Sequence, residues 1–133
     1  MRNYINYNAH QQTMKPAVNS IRTFIGAKDY QLSRDFYNAW GFEEIITSPK
    51  LSYFAIDNFG FYLQDHFVKD WVENSMVFLE VESLSEYWEV LKAKNLDQKF
   101  KGVKLVEPTT FDWGNEGFVY DPSGVLWHIG EFN

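Results

Sequence analysis

One apolar stretch near the C-terminus, VLWHIGE, carries an ionisable ring, His128. Imidazole titrates near neutral pH and can both donate and accept hydrogen bonds. Strand alternation would place Leu126, His128 and Gly130 on one face and Trp127 and Ile129 on the other. Two interpretations are open: His128 is a hydrogen-bonding group in a ligand cleft, or it is a histidine satisfied by partners inside the core.

A serine nucleophile is the next chemistry to consider, because Ser123 lies near Asp121 and His128. The stretch Asp121-Pro122-Ser123-Gly124 has the residues of a type I turn, and it lacks the G-x-S-x-G elbow that exposes a nucleophilic hydroxyl. The chain also contains no cysteine, which excludes disulfides, thiolate metal ligands and cysteine nucleophiles. The sequence therefore argues against nucleophilic catalysis.

Arg22 is a second candidate, within the alternating run IRTFIG. Its guanidinium would pair with an anionic group of a ligand, or form an ion pair with Glu80 on a similar strand. Aromatic residues make up 19% of the chain, and rings beyond those needed for a core tend to line a cleft. Phe24, Phe78 and Trp113 are candidates for that lining, and core packing is the alternative for each.

The composition limits the classes of molecule that this protein is expected to bind. With 133 residues we expect one domain, and its formal net charge of -6 disfavours nucleic acid and anionic membranes and attracts cationic ligands weakly. No apolar run reaches the roughly 18 residues that cross a bilayer. The N-terminus lacks the apolar region of a secretory signal. These features favour a cytoplasmic protein.

The pattern of elements occurs twice. A strand at residues 21–26 leads to a helix with Asp29 as N-cap and Gly41 at its end, and a strand at residues 76–81 leads to a helix with Ser83 as N-cap. Three strands follow each helix; in the second copy we expect them at 103–106, 118–120 and 125–129, with a loop at 107–115. The predicted divisions are an N-terminal arm (1–19), module one (20–65) and module two (75–133).

Two stretches resemble the glyoxalase, bleomycin-resistance and extradiol-dioxygenase proteins, the vicinal oxygen chelate superfamily. One is IRTFIGAKDYQLSRDFYNAWGF, and the other is Trp113-Gly114 followed by FVYDPSGVLWHIGEF. The matching residues of the first stretch are Asp29, Ser33, Phe36, Tyr37, Gly41 and Phe42. The resemblance covers residues 20–133 and implies an α+β fold: two βαβββ modules form a cupped, half-barrel mixed β-sheet with helices on its outer face. It also implies a homodimer.

Enzymes of that superfamily hold a divalent metal with His and Glu from the first and last strands of each module. The resemblance places those positions at Arg22, Gln64, Met76 and His128. A guanidinium only donates, a thioether is soft and an amide oxygen is a weak ligand, so His128 alone suits a metal ion. A correspondence shifted by one residue would instead bring Glu80 or Glu131 into the cleft.

The sequence therefore favours a binding protein of the bleomycin-resistance type, without metal, cofactor or catalysis, that sequesters an aromatic or antibiotic-like small molecule. The predicted ligand-binding residues are Arg22, Phe24, Gln64, Met76, Phe78, Trp113 and His128. Two alternatives remain at this point. One is a metal-dependent lyase or dioxygenase with shifted ligands, and the other is a structural dimer that binds no small molecule.

Overall fold

A computed structural model describes residues 15–133. Most of the predicted arm, residues 1–14, lies outside the described part, and residues 15–19 are exposed chain without regular structure. In chain order the elements are β1 (Phe24–Gly26), α1 (Tyr30–Trp40), β2 (Glu43–Ser48), β3 (Leu51–Ile56), β4 (Phe59–Gln64), α2 (Lys69–Glu73), β5 (Met76–Glu80), α3 (Leu84–Ala93), α4 (Leu96–Lys99), β6 (Lys104–Phe111), β7 (Gly114–Tyr120) and β8 (Leu126–Phe132).

The strands form two mixed four-stranded sheets with the same topology. The first sheet has the order β1-β4-β3-β2 and the second the order β5-β8-β7-β6. In each sheet the first and last strands of the module pair in parallel, and the other pairs are antiparallel. Neither sheet closes on itself. The predicted α+β fold, with two βαβββ modules, cupped sheets and helices on one side, is confirmed. The module boundaries at residues 20–65 and 75–133 stay predictions.

Both predicted helix starts are confirmed. The Asp29 carboxylate accepts a hydrogen bond from the Leu32 amide at 3.1 Å, and the Ser83 hydroxyl accepts one from the Glu86 amide at 3.4 Å. Gly41 ends α1 with a φ of 122°, in a region of backbone conformation that side chains with a Cβ rarely adopt. Local capping therefore fixes where each module places its long helix.

Two predicted boundaries were wrong. The first strand covers only Phe24–Gly26, because the chain before it is exposed, with Ile21 95% accessible. The loop predicted at residues 107–115 is instead the end of β6, a turn and the start of β7. An irregularity between Val106 and Thr109 accommodates the intervening proline, which cannot donate to a strand ladder. The β6–β7 hairpin is thus much longer than expected.

The two modules share one interior. Tyr37 of α1 is fully buried and stacks or makes edge contacts with rings from both sheets, including Phe61 of β4 and Trp127 of β8. The Phe61 and Trp127 ring centroids are themselves 5.4 Å apart. The helix-covered faces of the two sheets therefore meet in this core, and the opposite face of each sheet stays uncovered. No helix in residues 15–133 is long and apolar enough to cross a membrane.

Candidate ligand-binding site

The structure places His128 on the uncovered face of the second sheet. Its neighbours in β8, Trp127 and Ile129, are buried in the core, with exposures of 2% and 0%. The His128 side chain is 23% exposed and lies in register with Phe78 of β5 and Phe118 of β7. Strand alternation thus turns the imidazole away from the helices, as the cleft interpretation requires.

Glu116 is the partner of His128, and sequence reasoning missed it. Its Oε1 contacts His128 Nδ1, and the Glu116 residue is only 9% exposed. On the other side of the ring, His128 Nε2 lies 3.3 Å from the Met76 sulfur. The available signal was the two-residue spacing from Phe118, which places Glu116 on the same face of β7. The predicted loop at 107–115 and strand at 118–120 hid that signal, because β7 in fact begins at Gly114, before Glu116.

Aromatic rings surround this pair. Phe78 stacks on Phe132 with ring centroids 5.5 Å apart and lies 6.2 Å from Trp113, which in turn lies parallel to Phe111 at 5.8 Å. Gly130 makes the arrangement possible, since a Cβ there would overlap the Phe78 ring. We call this surface the histidine face; its residues are Met76, Phe78, Phe111, Trp113, Glu116, Phe118, His128 and Phe132.

The uncovered face of the first sheet holds the other predicted residues. Arg22 donates a hydrogen bond to the Tyr62 hydroxyl at 3.0 Å, and its guanidinium carbon lies 3.9 Å from the centre of the Tyr53 ring. Phe24 stacks on Tyr62 at 5.0 Å. We call this surface, which also includes Gln64 at the end of β4, the arginine face. Among residues 15–133 the Arg22 guanidinium contacts Tyr53 and Tyr62, and it forms no ion pair with Glu80.

The predicted site residues therefore form two groups. Met76, Phe78, Trp113 and His128 come together on the histidine face, and Arg22, Phe24 and Gln64 lie on the arginine face. Within residues 15–133 no hydrogen bond or ring contact joins the two groups. The four positions that correspond to the superfamily's metal ligands are thus divided between the two sheets, with Arg22 and Gln64 beside the first and Met76 and His128 on the second.

The donor chemistry does not fit a divalent metal ion. His128 Nδ1 is occupied by Glu116, and Nε2 faces a thioether, which is a poor ligand for a hard cation. Arg22 has no lone pair to offer. Among residues 15–133 no group of three or more His, Asp or Glu side chains is arranged to hold a metal. No catalytic step through a metal follows from this site.

A serine triad is excluded by the contacts that its members make. Asp121 accepts a hydrogen bond from the Tyr37 hydroxyl at 2.7 Å, and its other oxygen accepts the Ser123, Gly124 and Val125 amides. Burial raises the pKa of Asp121, although these hydrogen bonds pull it the other way. Burial also raises the pKa of Tyr37, and the Asp121 charge adds to that effect. These groups support the core and lie apart from His128.

A separate cavity of about 530 Å³ lies on the helix-covered side, between the first sheet and β5. Phe42, Phe61 and Trp127 contribute its apolar walls, and the chain from Val77 to Glu82 forms another side. In residues 15–133 the strand β5 pairs only with β8, so the cavity opens along its free edge. It is a second place where an apolar molecule would fit, and Phe78 of the histidine face also lines it.

No protein-family model and no curated protein matches the sequence. Solved structures do match the fold. A bleomycin-binding protein complexed with bleomycin has a TM-score of 0.72 and 15% identity, over 87% of this chain and 100% of that one. TnmS3, an antibiotic binding protein from Streptomyces sp. CB03234, has a TM-score of 0.69 and 17% identity over 89% and 99%. Lactoylglutathione lyase from Agrobacterium tumefaciens has a TM-score of 0.62 and 14% identity over 86% and 95%.

These matches define the class of architecture, a pair of βαβββ modules with open, cupped sheets. The chain has the vicinal oxygen chelate fold, which is shared by glyoxalase, bleomycin-resistance and dioxygenase proteins. Solved structures with that fold include both binding proteins and a lyase, so the function has to be argued from the residues of the site.

Proposed function

We propose that this protein binds a flat, aromatic or antibiotic-like small molecule on the histidine face and sequesters it without catalysis, in the manner of a bleomycin-resistance protein. The observation that carries the proposal is the group of exposed rings there: Phe78, Trp113 and Phe132 are 44%, 37% and 52% accessible. Grouped apolar side chains open to water mark interaction sites more often than isolated ones do. Covering each ring would contribute about 1.5–3 kcal/mol.

Polar groups at the site would orient the ligand. The Glu116–His128 pair lies between the rings and offers hydrogen bonding at one position. The net charge of -6 favours approach of a cationic compound, and Arg22 would pair with an anionic or carbonyl group of the same molecule. The antibiotic-binding structures with this fold support the proposal of an antibiotic-like ligand.

We further propose that the working unit is a homodimer. In residues 15–133 the histidine face and the arginine face lie on separate sheets with no hydrogen bond or ring contact between them, and each is open to solvent. A second copy would place its arginine face opposite the histidine face of the first and close a cleft between them. Sedimentation velocity over a range of protein concentrations tests this directly: a single monomeric species at all concentrations would overturn it.

Tryptophan fluorescence tests the binding proposal. Titration with bleomycin and a panel of flat aromatic antibiotics is expected to quench emission and raise the melting temperature. Trp113→Phe should lose most of the quench, while Trp88→Phe is a control, since Trp88 is only 3% exposed and donates its indole N–H to Glu107 on the helix-covered side. A quench that survives Trp113→Phe would place the ligand elsewhere, for example in the cavity beside Trp127. No quench and no thermal shift with any compound would contradict ligand binding.

A further inference from the structure

The Glu116 contact determines which nitrogen of His128 faces a ligand. A carboxylate accepts hydrogen bonds, so the nitrogen beside it, Nδ1, carries a proton. Nε2 is then the nitrogen left for the open side of the sheet. Because Glu116 is almost fully buried and β7 holds it in place, the imidazole has little freedom to turn.

Met76 occupies the position in front of Nε2, and it does so weakly. Its sulfur is 3.3 Å from the nitrogen, but a thioether has no hydrogen to donate, so it makes no hydrogen bond to an unprotonated Nε2. The Met76 residue is 66% exposed, and its unbranched side chain can adopt other rotamers at little cost. An oxygen atom of a ligand can therefore displace the sulfur and take its place beside Nε2.

The oxygen that suits this position belongs to an acidic hydroxyl. A neutral imidazole accepts a hydrogen bond at Nε2 from a hydroxyl, and a protonated imidazole donates one to the corresponding oxyanion. We infer that the histidine face selects flat aromatic ligands with a phenolic or enolic hydroxyl, whose proton is shared between the ligand oxygen and His128 Nε2. If the proton moves to Nε2, the electron pair of the broken O–H bond stays on oxygen. This inference rests on the proposed binding function.

Glu116 is a positioning residue in this arrangement, since it acts through His128. A positive imidazole, formed when the proton moves to Nε2, would form an ion pair with the Glu116 carboxylate beside Nδ1. Phe78 and Phe118 flank the same imidazole, with ring centroids 6.3 Å and 5.1 Å from it. They would hold the ring of the ligand so that its hydroxyl reaches Nε2.

The test compares two probes that differ at one oxygen, which carries a hydrogen in the first and a methyl group in the second. 4-Nitro-1-naphthol has the hydroxyl, and 1-methoxy-4-nitronaphthalene replaces it with a methyl ether; naphtholate also absorbs visible light that naphthol does not. At a pH where the free naphthol is mostly protonated, we expect the protein to bind the naphthol roughly 10-fold or more tightly than the ether. We also expect the bound naphthol to show the naphtholate absorbance band.

Glu116→Gln keeps an oxygen that can accept from Nδ1 but removes the charge. It should abolish most of the preference and weaken the naphtholate band. Glu43→Gln is the matched control, because it removes one exposed carboxylate from β2 of the first sheet and should leave both readouts as they are. Thermal unfolding verifies that each variant is folded.

Each outcome decides the matter. Equal affinity for the two probes would overturn this inference and leave aromatic binding intact. A preference that persists in Glu116→Gln would also overturn it. Failure of both probes to bind would overturn the inference, and the titration with bleomycin and the antibiotic panel would then decide the proposed function separately; a preference lost only in Glu116→Gln would support the inference.

Discussion

Tyr37 and Asp121 lie 84 positions apart in the chain, and their side chains meet in the core at 2.7 Å. The same tyrosine hydroxyl accepts a hydrogen bond from the Trp127 indole at 2.9 Å. One oxygen of module one therefore satisfies two buried polar groups of module two. This contact, together with the rings packed around it, joins the two halves into one interior.

Tyr37→Phe should lower the free energy of unfolding sharply, although the change in the side chain is small. It removes one oxygen and leaves Asp121 Oδ2 and the Trp127 N–H without a partner in a fully buried position, which costs about 2–4 kcal/mol. Urea unfolding at neutral pH measures the loss. Tyr30→Phe is the control, because the Tyr30 hydroxyl makes one longer contact, 3.3 Å to Ser52, at a partly buried site. Equal losses in the two variants would show that the link between modules carries no special weight.

Glu44 makes stability depend on acid pH. Burial alone would raise the pKa of Glu44, but hydrogen bonds from Arg34, Ser52 and Asn38 outweigh it and lower the pKa below the ordinary value. The unfolded chain then takes up the proton at a higher pH than the folded chain does. The stabilisation is therefore complete above the unfolded pKa and is lost as pH falls through the lowered folded pKa.

Glu44→Gln tests that sign. At neutral pH the free energy of unfolding of the variant should be about 1 kcal/mol lower than that of the unchanged protein. This difference should shrink steadily below about pH 5. Asp121 acts in the opposite sense, since its pKa is raised, but it is present in both proteins and cancels in the comparison. A difference that grows as pH falls would contradict the assignment.

Alanine substitutions at Gly130 and Gly117 are expected to separate an effect on ligand binding from an effect on stability. A Cβ at Gly130 would overlap Phe78 on the histidine face, so Gly130→Ala should displace that ring and weaken aromatic ligands, with little change in stability. A Cβ at Gly117 would lie 2.8 Å from Trp88 on the helix-covered side, so Gly117→Ala should cost roughly 1–3 kcal/mol of stability. Chemical unfolding and a fluorescence titration on both variants measure the two effects. Gly130→Ala should mainly weaken ligand binding, and Gly117→Ala should mainly lower the free energy of unfolding.

Removal of metal should change nothing. Protein dialysed against EDTA is expected to keep its melting temperature and its ligand affinity, because the side chains at the superfamily's metal positions are Arg22, Gln64, Met76 and His128. Elemental analysis of protein purified without chelator provides the second measurement. A stoichiometric divalent metal ion, lost on dialysis together with function, would favour the lyase or dioxygenase alternative.

The fold was largely predictable because its signals are local. Asp29 and Ser83 cap their helices through their own side chains, and the turn after β7 closes with a hydrogen bond from the Gly124 amide to the Asp121 carbonyl. Strand alternation correctly separated His128 from Trp127 and Ile129. Such features depend on residues a few positions apart, which a sequence displays directly.

The site was less accessible because its contacts join distant strands. Glu116 meets His128 only because β7 pairs with β8 in one particular register, and Met76 reaches the same ring from β5. Pro108 argued for a loop, and nothing local indicated that an irregularity in β6 would carry the strand past it. The separation of Arg22 from His128 depends on how two whole sheets are oriented, which no short stretch encodes.

Trp113 lies in the turn of the long β6–β7 hairpin, outside the core that Tyr37 joins. Substitutions, insertions or deletions at that turn would reshape one wall of the histidine face and leave the folded framework as it is. The residues needed for folding, in the core, are therefore separate from the turn residues that would determine which ligand binds. Descendants of this sequence could adapt to new compounds by changing a few turn residues.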